Sequence, residues 1–322
     1  MTDKIQQTLI IPDPLGGMRL DQALAIFLPQ FSRTQIQEWI KSGNVTVNNK
    51  KWKARDTVLG GETVIIDAMR KAQPAWDAQP IDLNIIYEDE AVIIINKTAG
   101  MVVHPAAGNF ENTLLNAVLH HAPSLQQLPR AGILHRLDKN TSGLLIIAKT
   151  HDSLQYLSRQ LKNHKIIRIY QAIAFGVMTS GGTINEPISR HPIQRKRMAV
   201  IETGKEAITH YRVIERYRAY TRLKIQLETG RTHQIRVHMA YIRHPLLGDP
   251  VYGGRLQLPK GASHDLVQIL RTFKRQALHA SELSITHPIT HKMMTWNAPL
   301  PEDMQKLIEV LKADAKDLDI FS

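Results

Sequence analysis

Over residues 69–80 the hydrophobic pattern of this chain lapses. Gln73-Pro74-Ala75-Trp76 and Gln79-Pro80 sit in a stretch with neither a helical nor a strand period. A lapse of that length divides the 322 residues, and the expected organisation is a small unit over 18–67, a linker over 68–80 and a large unit over 81–322. In the small unit Leu20, Leu24, Phe27 and Leu28 recur at helical spacing. Ser32 with Gln35 reads as a capping box for a second helix carrying Ile36, Trp39 and Ile40, and Gly43 supplies a left-handed stop. Val45 and Val47 alternate into an Asn48-Asn49 turn, and Gly60-Gly61 precedes a strand at Val64–Ile66. A helix-helix-strand unit of this kind is near the minimum size that folds alone.

The large unit mixes its patterns. Strands are expected at 92–96, 144–148, 169–175 and 223–227, with helices over 152–162 and after Pro301. Because strands and helices do not alternate regularly, an α+β domain is predicted in place of a doubly wound sheet.

The segment richest in chemistry is His135-Arg136-Leu137-Asp138-Lys139-Asn140-Thr141-Ser142-Gly143, a polar loop between apolar runs. A loop gripped between buried strands can present reactive groups on a rigid base. Arg136 and Lys139 flank Asp138 and favour its ionised form. Read from its residues alone, the same loop serves equally as a turn whose Asp and Asn bond their own backbone. A second candidate is Gly230-Arg231-Thr232-His233-Gln234-Ile235-Arg236-Val237-His238, where a strand ends and a helix begins. Its two arginines suit a carboxylate or a phosphate.

Composition narrows the chemistry. Forty-one Lys and Arg against 29 Asp and Glu leave a formal charge of +12, which points to a polyanionic partner. No cysteine is present, so disulfides, thiolate nucleophiles and Cys-based zinc sites are excluded. His233 and His238 are five apart and no His-Glu-x-x-His occurs, so no metal site is expected. Phosphate-binding loops, dinucleotide fingerprints and nucleophile elbows are absent too. With no membrane-length apolar run and no signal-peptide core, a cytoplasmic protein is expected. Basic residues gather at Lys50, Lys51, Lys53 and Arg55 around Trp52, at Arg195-Lys196-Arg197, and at Arg212, Arg216, Arg218 and Arg222 beside Tyr217 and Tyr220. Three clusters, two with aromatics, suggest a nucleic-acid track.

These segments together resemble the RluA family of pseudouridine synthases, most closely its members that modify large-subunit ribosomal RNA. Asn96-Lys97-Thr98-Ala99-Gly100, both segments above, and His244-Pro245-Leu246-Leu247-Gly248-Asp249-Pro250-Val251-Tyr252-Gly253-Gly254 carry the likeness. Thr98 departs from it, since the family usually has proline there. Arg19-Leu20-Asp21, Ser32-Arg33, Gly43-Asn44-Val45 and Val47-Asn48 resemble an S4 RNA-binding domain.

The resemblance implies a large, bent, mostly antiparallel sheet with flanking helices, and chemistry without metal or cofactor. It implies Asp138 as nucleophile, Tyr170 as the ring that stacks on the target base, and Arg236 as the ion-pair partner of Asp138. Three routes are open to Asp138: attack on ribose C1′, attack on uracil C6, or proton abstraction. RNA contact is expected of His135, Arg136 (as a wedge) and Arg231, and of Arg33, Lys41, Lys50 and Lys51 in the small unit. The implied substrate is 23S ribosomal RNA at the helix 69 stem-loop, within the 50S subunit or its precursor, acted on by a monomer. The alternative is a non-catalytic S4-type RNA-binding or ribosome-assembly factor, which would have no need of the Asp138 loop.

Overall fold

A computed structural model describes residues 4–28, 31, 33–69, 76–105, 109–194 and 197–319. The expected cap at Ser32, the Gln73-Pro74-Ala75 part of the linker, and Arg195-Lys196 lie outside the described residues. The chain forms two compact units, Met1–Ala75 and Trp76–Ser322.

In the small unit, β1 (Lys4–Ile10) precedes the helices α1 (Leu20–Phe27) and α2 (Arg33–Ser42), followed by β2 (Val45–Val47) and β3 (Thr63–Met69). The sheet order is β1-β3-β2. The unit therefore starts earlier than residue 18: β1 pairs antiparallel with β3 along its whole length, from Lys4↔Met69 to Ile10↔Thr63. Its residues are mostly exposed, so its sequence carries little apolar alternation to announce a strand. Asn48 and Asn49 take φ of 47° and 62°, and Val47 and Lys50 exchange two backbone hydrogen bonds. That is the tight turn which Asn-Asn permits. Leu20, Leu24, Ile36, Ile40, Val45, Val47, Val64 and Ile66 form one core beneath the helices.

The large unit runs β4 (Ile85–Glu88), β5 (Val92–Lys97), α3 (Leu114–His121), β6 (Ser142–Ala148), α4 (His151–Lys162), β7 (Ile167–Phe175), β8 (Gly182–Asn185), β9 (Ile188–Arg190) and β10 (Met198–Val200). It continues with β11 (Ile208–Arg216), β12 (Tyr220–Leu227), α5 (Gln234–Tyr241), α6 (His264–Thr272), β13 (Leu278–Thr286), β14 (Met293–Asn297) and α7 (Glu302–Asp319). Nine strands form one sheet ordered β4-β5-β6-β13-β7-β12-β11-β8, with β14 added beside β13, while β9 and β10 pair separately. This is the mostly antiparallel α+β architecture expected. Alternation builds two cores on it. Ile93, Ile95, Leu145, Ile147, Ala172 and Leu223 meet Leu115 and Val118 of α3 and Ile235 and Met239 of α5. Val92, Ile94, Leu144, Ile146, Leu283 and Ile285 meet Leu157 of α4.

One pairing departs from the antiparallel rule. β6 and β13 run parallel, with His279 opposite Ser142 and Ala280 opposite Gly143. Gly143 has φ +116°, and a Cβ there would lie 2.2 Å from the Ala280 carbonyl oxygen. Gly143→Ala is accordingly expected to destabilise the protein by roughly 2–4 kcal/mol through strain and overpacking, read as a lower urea midpoint.

Candidate active site

The chain enters the site through a left-handed turn. Arg130, Ala131 and Gly132 take φ of 53°, 50° and 75°. Only glycine fits the last place, because a Cβ would lie 1.9 Å from Ala148 O. Ile133 makes one bridge to Ile147, so on this side the polar loop hangs from a single bridge, not from the strand expected.

From Lys139 onward the loop is held by its own backbone. Lys97 Nζ donates to the carbonyls of Thr98 (2.8 Å), Met101 (3.0 Å) and Lys139 (3.2 Å). Gly100 N–H also donates to Lys139 O, and Thr141 N–H to Asp138 O. Arg275 and Gln276, just before β13, donate to Asn140 O and Thr141 Oγ1. Lys97 is 1% exposed. Burial pulls its ammonium down to about 7, against the attraction of Asp138.

The loop presents Asp138, whose side chain is 20% exposed. Arg236 Nη1 donates to Asp138 Oδ2 at 2.9 Å. The remainder of that guanidinium is committed elsewhere: Nε and Nη2 grip both oxygens of Asp249 at 2.7 and 2.9 Å. Asp249 Oδ1 also accepts from the N–H groups of Val251 and Tyr252. Burial works to raise the Asp249 pKa, but the hydrogen bonds and charge of Arg236 outweigh it and hold the carboxyl below its usual range. Arg236 is raised in turn, the two carboxylates overcoming its burial.

Beside this pair stands Tyr170 on β7, buried, with its phenol raised by burial. Asp138 adds to that shift and Arg168 opposes it. The ring belongs to the apolar cluster that also holds side chains of α3 and α5. Arg136 is exposed at the edge of the site, and its Nη2 donates to Thr232 Oγ1.

Several expected contacts are relocated. His135 turns inward: its Nε2 accepts from Ile146 N–H over 3.4 Å, and burial, then Arg168, lowers the ring to about 3. The imidazole is neutral and supports β6. Arg231 does not converge with Arg236, because the helix begins only at Gln234. Its Nε donates instead to Glu206 O at 2.8 Å. Arg33 is engaged with Asp21 at 2.8 and 2.7 Å, alongside Arg19 and Gln37. Lys41, Lys50 and Lys51 are exposed, whereas Trp52 packs against the small core. In the cluster around Tyr217 and Tyr220, Arg212 and Arg216 are exposed while both rings are buried. Arg216 caps the carbonyls of Met178 and Thr179, and Arg218 pairs with Asp314. No group of acidic, His or Cys side chains that could hold a metal occurs among the described residues.

Asp249, His233, Tyr252 and Lys97 are the site residues that no role was assigned to from sequence. Their signal is their place in the matching segments; nothing in the chain's periodicity marks a buried lysine or pairs residues 236 and 249.

The family model described as RNA pseudouridylate synthase matches residues 91–241, and that of the S4 domain matches 18–64. Ribosomal large subunit pseudouridine synthase D of Pseudomonas aeruginosa is 52% identical over 314 residues, covering 98% of each chain. The protein of that name from Escherichia coli K12 is 53% identical over 315 residues, 98% of this chain and 97% of its own. Two solved structures share the fold of the large unit. Human RNA Pseudouridylate Synthase Domain Containing 4 has a TM-score of 0.56 at 23% identity over 71% of this chain and 93% of its own. Human RNA Pseudouridylate Synthase Domain Containing 1 has 0.54 at 22%, over 73% and 97%.

Removing Asp249 breaks the buried bidentate pair and leaves Arg236 only its single bond to Asp138. Asp249→Asn is expected to cost on the order of 3–5 kcal/mol of folding stability, measured by chemical denaturation. The depressed carboxyl makes a signed prediction as well. Its contribution is present above the unfolded value of 3.8 and is lost as the pH falls below that, through the folded value. Acid unfolding of the wild type should therefore be steeper than that of Asp249→Asn.

Proposed function

The chain belongs to the RNA pseudouridylate synthase family, and on that premise we propose that it converts uridines of large-subunit ribosomal RNA to pseudouridine, with Asp138 as the reacting carboxylate. The observation that carries the assignment of Asp138 is its position: a partly buried carboxylate held at 2.9 Å by a buried arginine, beside a buried tyrosine.

The reaction breaks the C–N glycosidic bond of uridine, turns the uracil and joins its C5 to ribose C1′. No net oxidation occurs, so the protein needs only to place a carboxylate beside the nucleoside and keep water away. An ionised carboxylate is costly to bury unless paired, and Arg236 meets that need. Because Arg236 spends two donors on Asp249 and one on Asp138, it engages only Oδ2 of Asp138 and leaves that carboxylate partly unneutralised. The same carboxylate serves attack at C1′, attack at C6 or proton abstraction.

Reaching it requires the uridine to leave its stack, at a cost of a few kcal/mol. Tyr170 offers the replacement surface, and Arg136, exposed at the edge, is placed to fill the vacated space in the RNA. The small unit adds phosphate contacts through Lys41, Lys50 and Lys51. The +12 charge supports the polyanion. We assign the helix 69 stem-loop of 23S RNA as the target, bound by a monomer in the cytoplasm on the 50S subunit or its precursor. No helix among the described residues is long and apolar enough to cross a membrane.

Asp138→Asn should lower single-turnover pseudouridine formation by roughly 10⁴-fold or more while RNA affinity is kept; near-normal turnover would remove Asp138 from the role. Tyr170→Phe should keep most base contact, whereas Tyr170→Ala loses about 1–3 kcal/mol of it; equal, complete inactivation of both would instead assign the phenolic proton to the chemistry. Replacing Lys41, Lys50 and Lys51 together by Ala should flatten the log–log salt dependence of binding by roughly 2 units and leave the rate at saturating RNA unchanged. A fall in that saturated rate would make the small unit part of the active site.

A further inference from the structure

His233 occupies the N-cap position of α5 but makes no capping hydrogen bond. The place usually goes to Ser, Thr, Asp or Asn. Its backbone is left-handed, φ 57° and ψ 22°, a conformation that costs a non-glycine residue of order 1 kcal/mol. The turn is imposed by Gln234, whose side chain accepts from Thr229 Oγ1 and Arg231 N–H and donates to Ile208 O. The result is that the imidazole points at the reacting carboxylate, with Nε2 3.8 Å from Asp138 Oδ1. Arg236 occupies the other oxygen, so each Asp138 oxygen has its own facing nitrogen.

The far side of the ring is fixed too. Nδ1 lies 2.9 Å from the Tyr252 hydroxyl, and the two rings pack edge to face at 5.7 Å. The Tyr252 oxygen already accepts from Met198 N–H at 2.9 Å. With that acceptor site used, the phenol can give its proton to Nδ1, the arrangement that puts the histidine's own proton on Nε2, aimed at Asp138. Arg197 and Arg236 lie over the Tyr252 ring at 5.2 and 5.0 Å and hold it in place.

We propose that His233 is a positioning residue for Asp138: as a neutral Nε2–H donor, fixed by Tyr252, it closes on Oδ1 when uridine is bound and aims the carboxylate. The proposal rests on the reading of Asp138 as the reacting group. At 3.8 Å the contact is too long for a hydrogen bond in the free protein, and catalytic contacts commonly tighten only with substrate present.

Protonation would undo the arrangement. A second proton can enter only at Nδ1, where it meets the Tyr252 hydroxyl proton and forces the phenol to turn away. The groups facing the ring are Asp138 and Arg136 from the loop, Arg236 from α5, and Asp249. Burial, first among these influences, lowers the imidazole from its usual 6.5, and Asp138 opposes it. The ring is therefore neutral at neutral pH, and the rate should fall as the pH drops through a value below 6.5.

The test is single-turnover pseudouridine formation by the full chain on a saturating ribosomal RNA fragment, with RNA affinity measured in parallel. Asparagine tolerates the left-handed backbone but is too short to reach Asp138. His233→Asn should therefore lose about 10²-fold in rate at unchanged affinity. His233→Gln, which restores a donor at nearly the same reach, should recover most of the rate and lack the acid limb in the histidine range. Tyr252→Phe, which no longer stabilises the neutral ring, should move that limb upward. A fully active His233→Asn, equal losses in the Asn and Gln variants, or an unaltered acid limb in His233→Gln would overturn the proposal while an inactive Asp138→Asn leaves the aspartate reading standing. An active Asp138→Asn would overturn both.

Discussion

One guanidinium organises the catalytic unit. Arg236 is shared between two carboxylates that arrive from different parts of the chain, bidentate to Asp249 and single to Asp138. The asymmetry matters more than the pairing. Had Asp249 been absent, the planar fork would be free to take both oxygens of Asp138, the geometry it prefers. It would then neutralise the carboxylate proposed to react. Two carboxylates on one arginine leave the centre with surplus negative charge, and the geometry directs that surplus to the partner that is not fully buried. Asp249 is also tied to the N–H groups of Val251 and Tyr252, so the arginine's anchor is itself anchored.

The second support is backbone. Lys97, at the end of β5, and Arg275 and Gln276, just before β13, fix the carbonyls and hydroxyl that follow Asp138. A loop of this length without regular structure would ordinarily wander on the nanosecond scale and beyond. Here its position is over-determined by groups that are themselves buried, which is how a carboxylate can be kept to the tolerance that chemistry demands. The cost falls on Lys97, a cation taken out of water and repaid by three carbonyls.

What could be read in the chain follows from which forces leave a local trace. The strands at Val92, Leu144, Ile167 and Tyr220 are apolar enough to declare themselves, as are the helices with stripes on one face. β1 was silent because its residues stay exposed and its partner lies about sixty residues away. The expected link between Asp138 and Arg236 is present as a hydrogen bond, although it came from likeness to a family and not from spacing. The bidentate hold of Asp249 was illegible, since an aspartate between glycine and proline looks like any turn residue. Charge is legible in the sequence only as composition: Arg216, Arg218 and Arg222 each engage a different partner within the fold.

The parallel seam between β6 and β13 has a consequence in time. Ser142 and His279 meet across it, 137 positions apart in the chain. Closing so long a loop is entropically slow and waits until most of the polypeptide exists. During synthesis the aspartate loop leaves the ribosome long before Arg236, Asp249, Arg275 or β13 can reach it. An unfinished chain thus holds Asp138 without its partners, and the site can be assembled only by a nearly complete product. The last third of the sequence works as an assembly lock on the Asp138 loop.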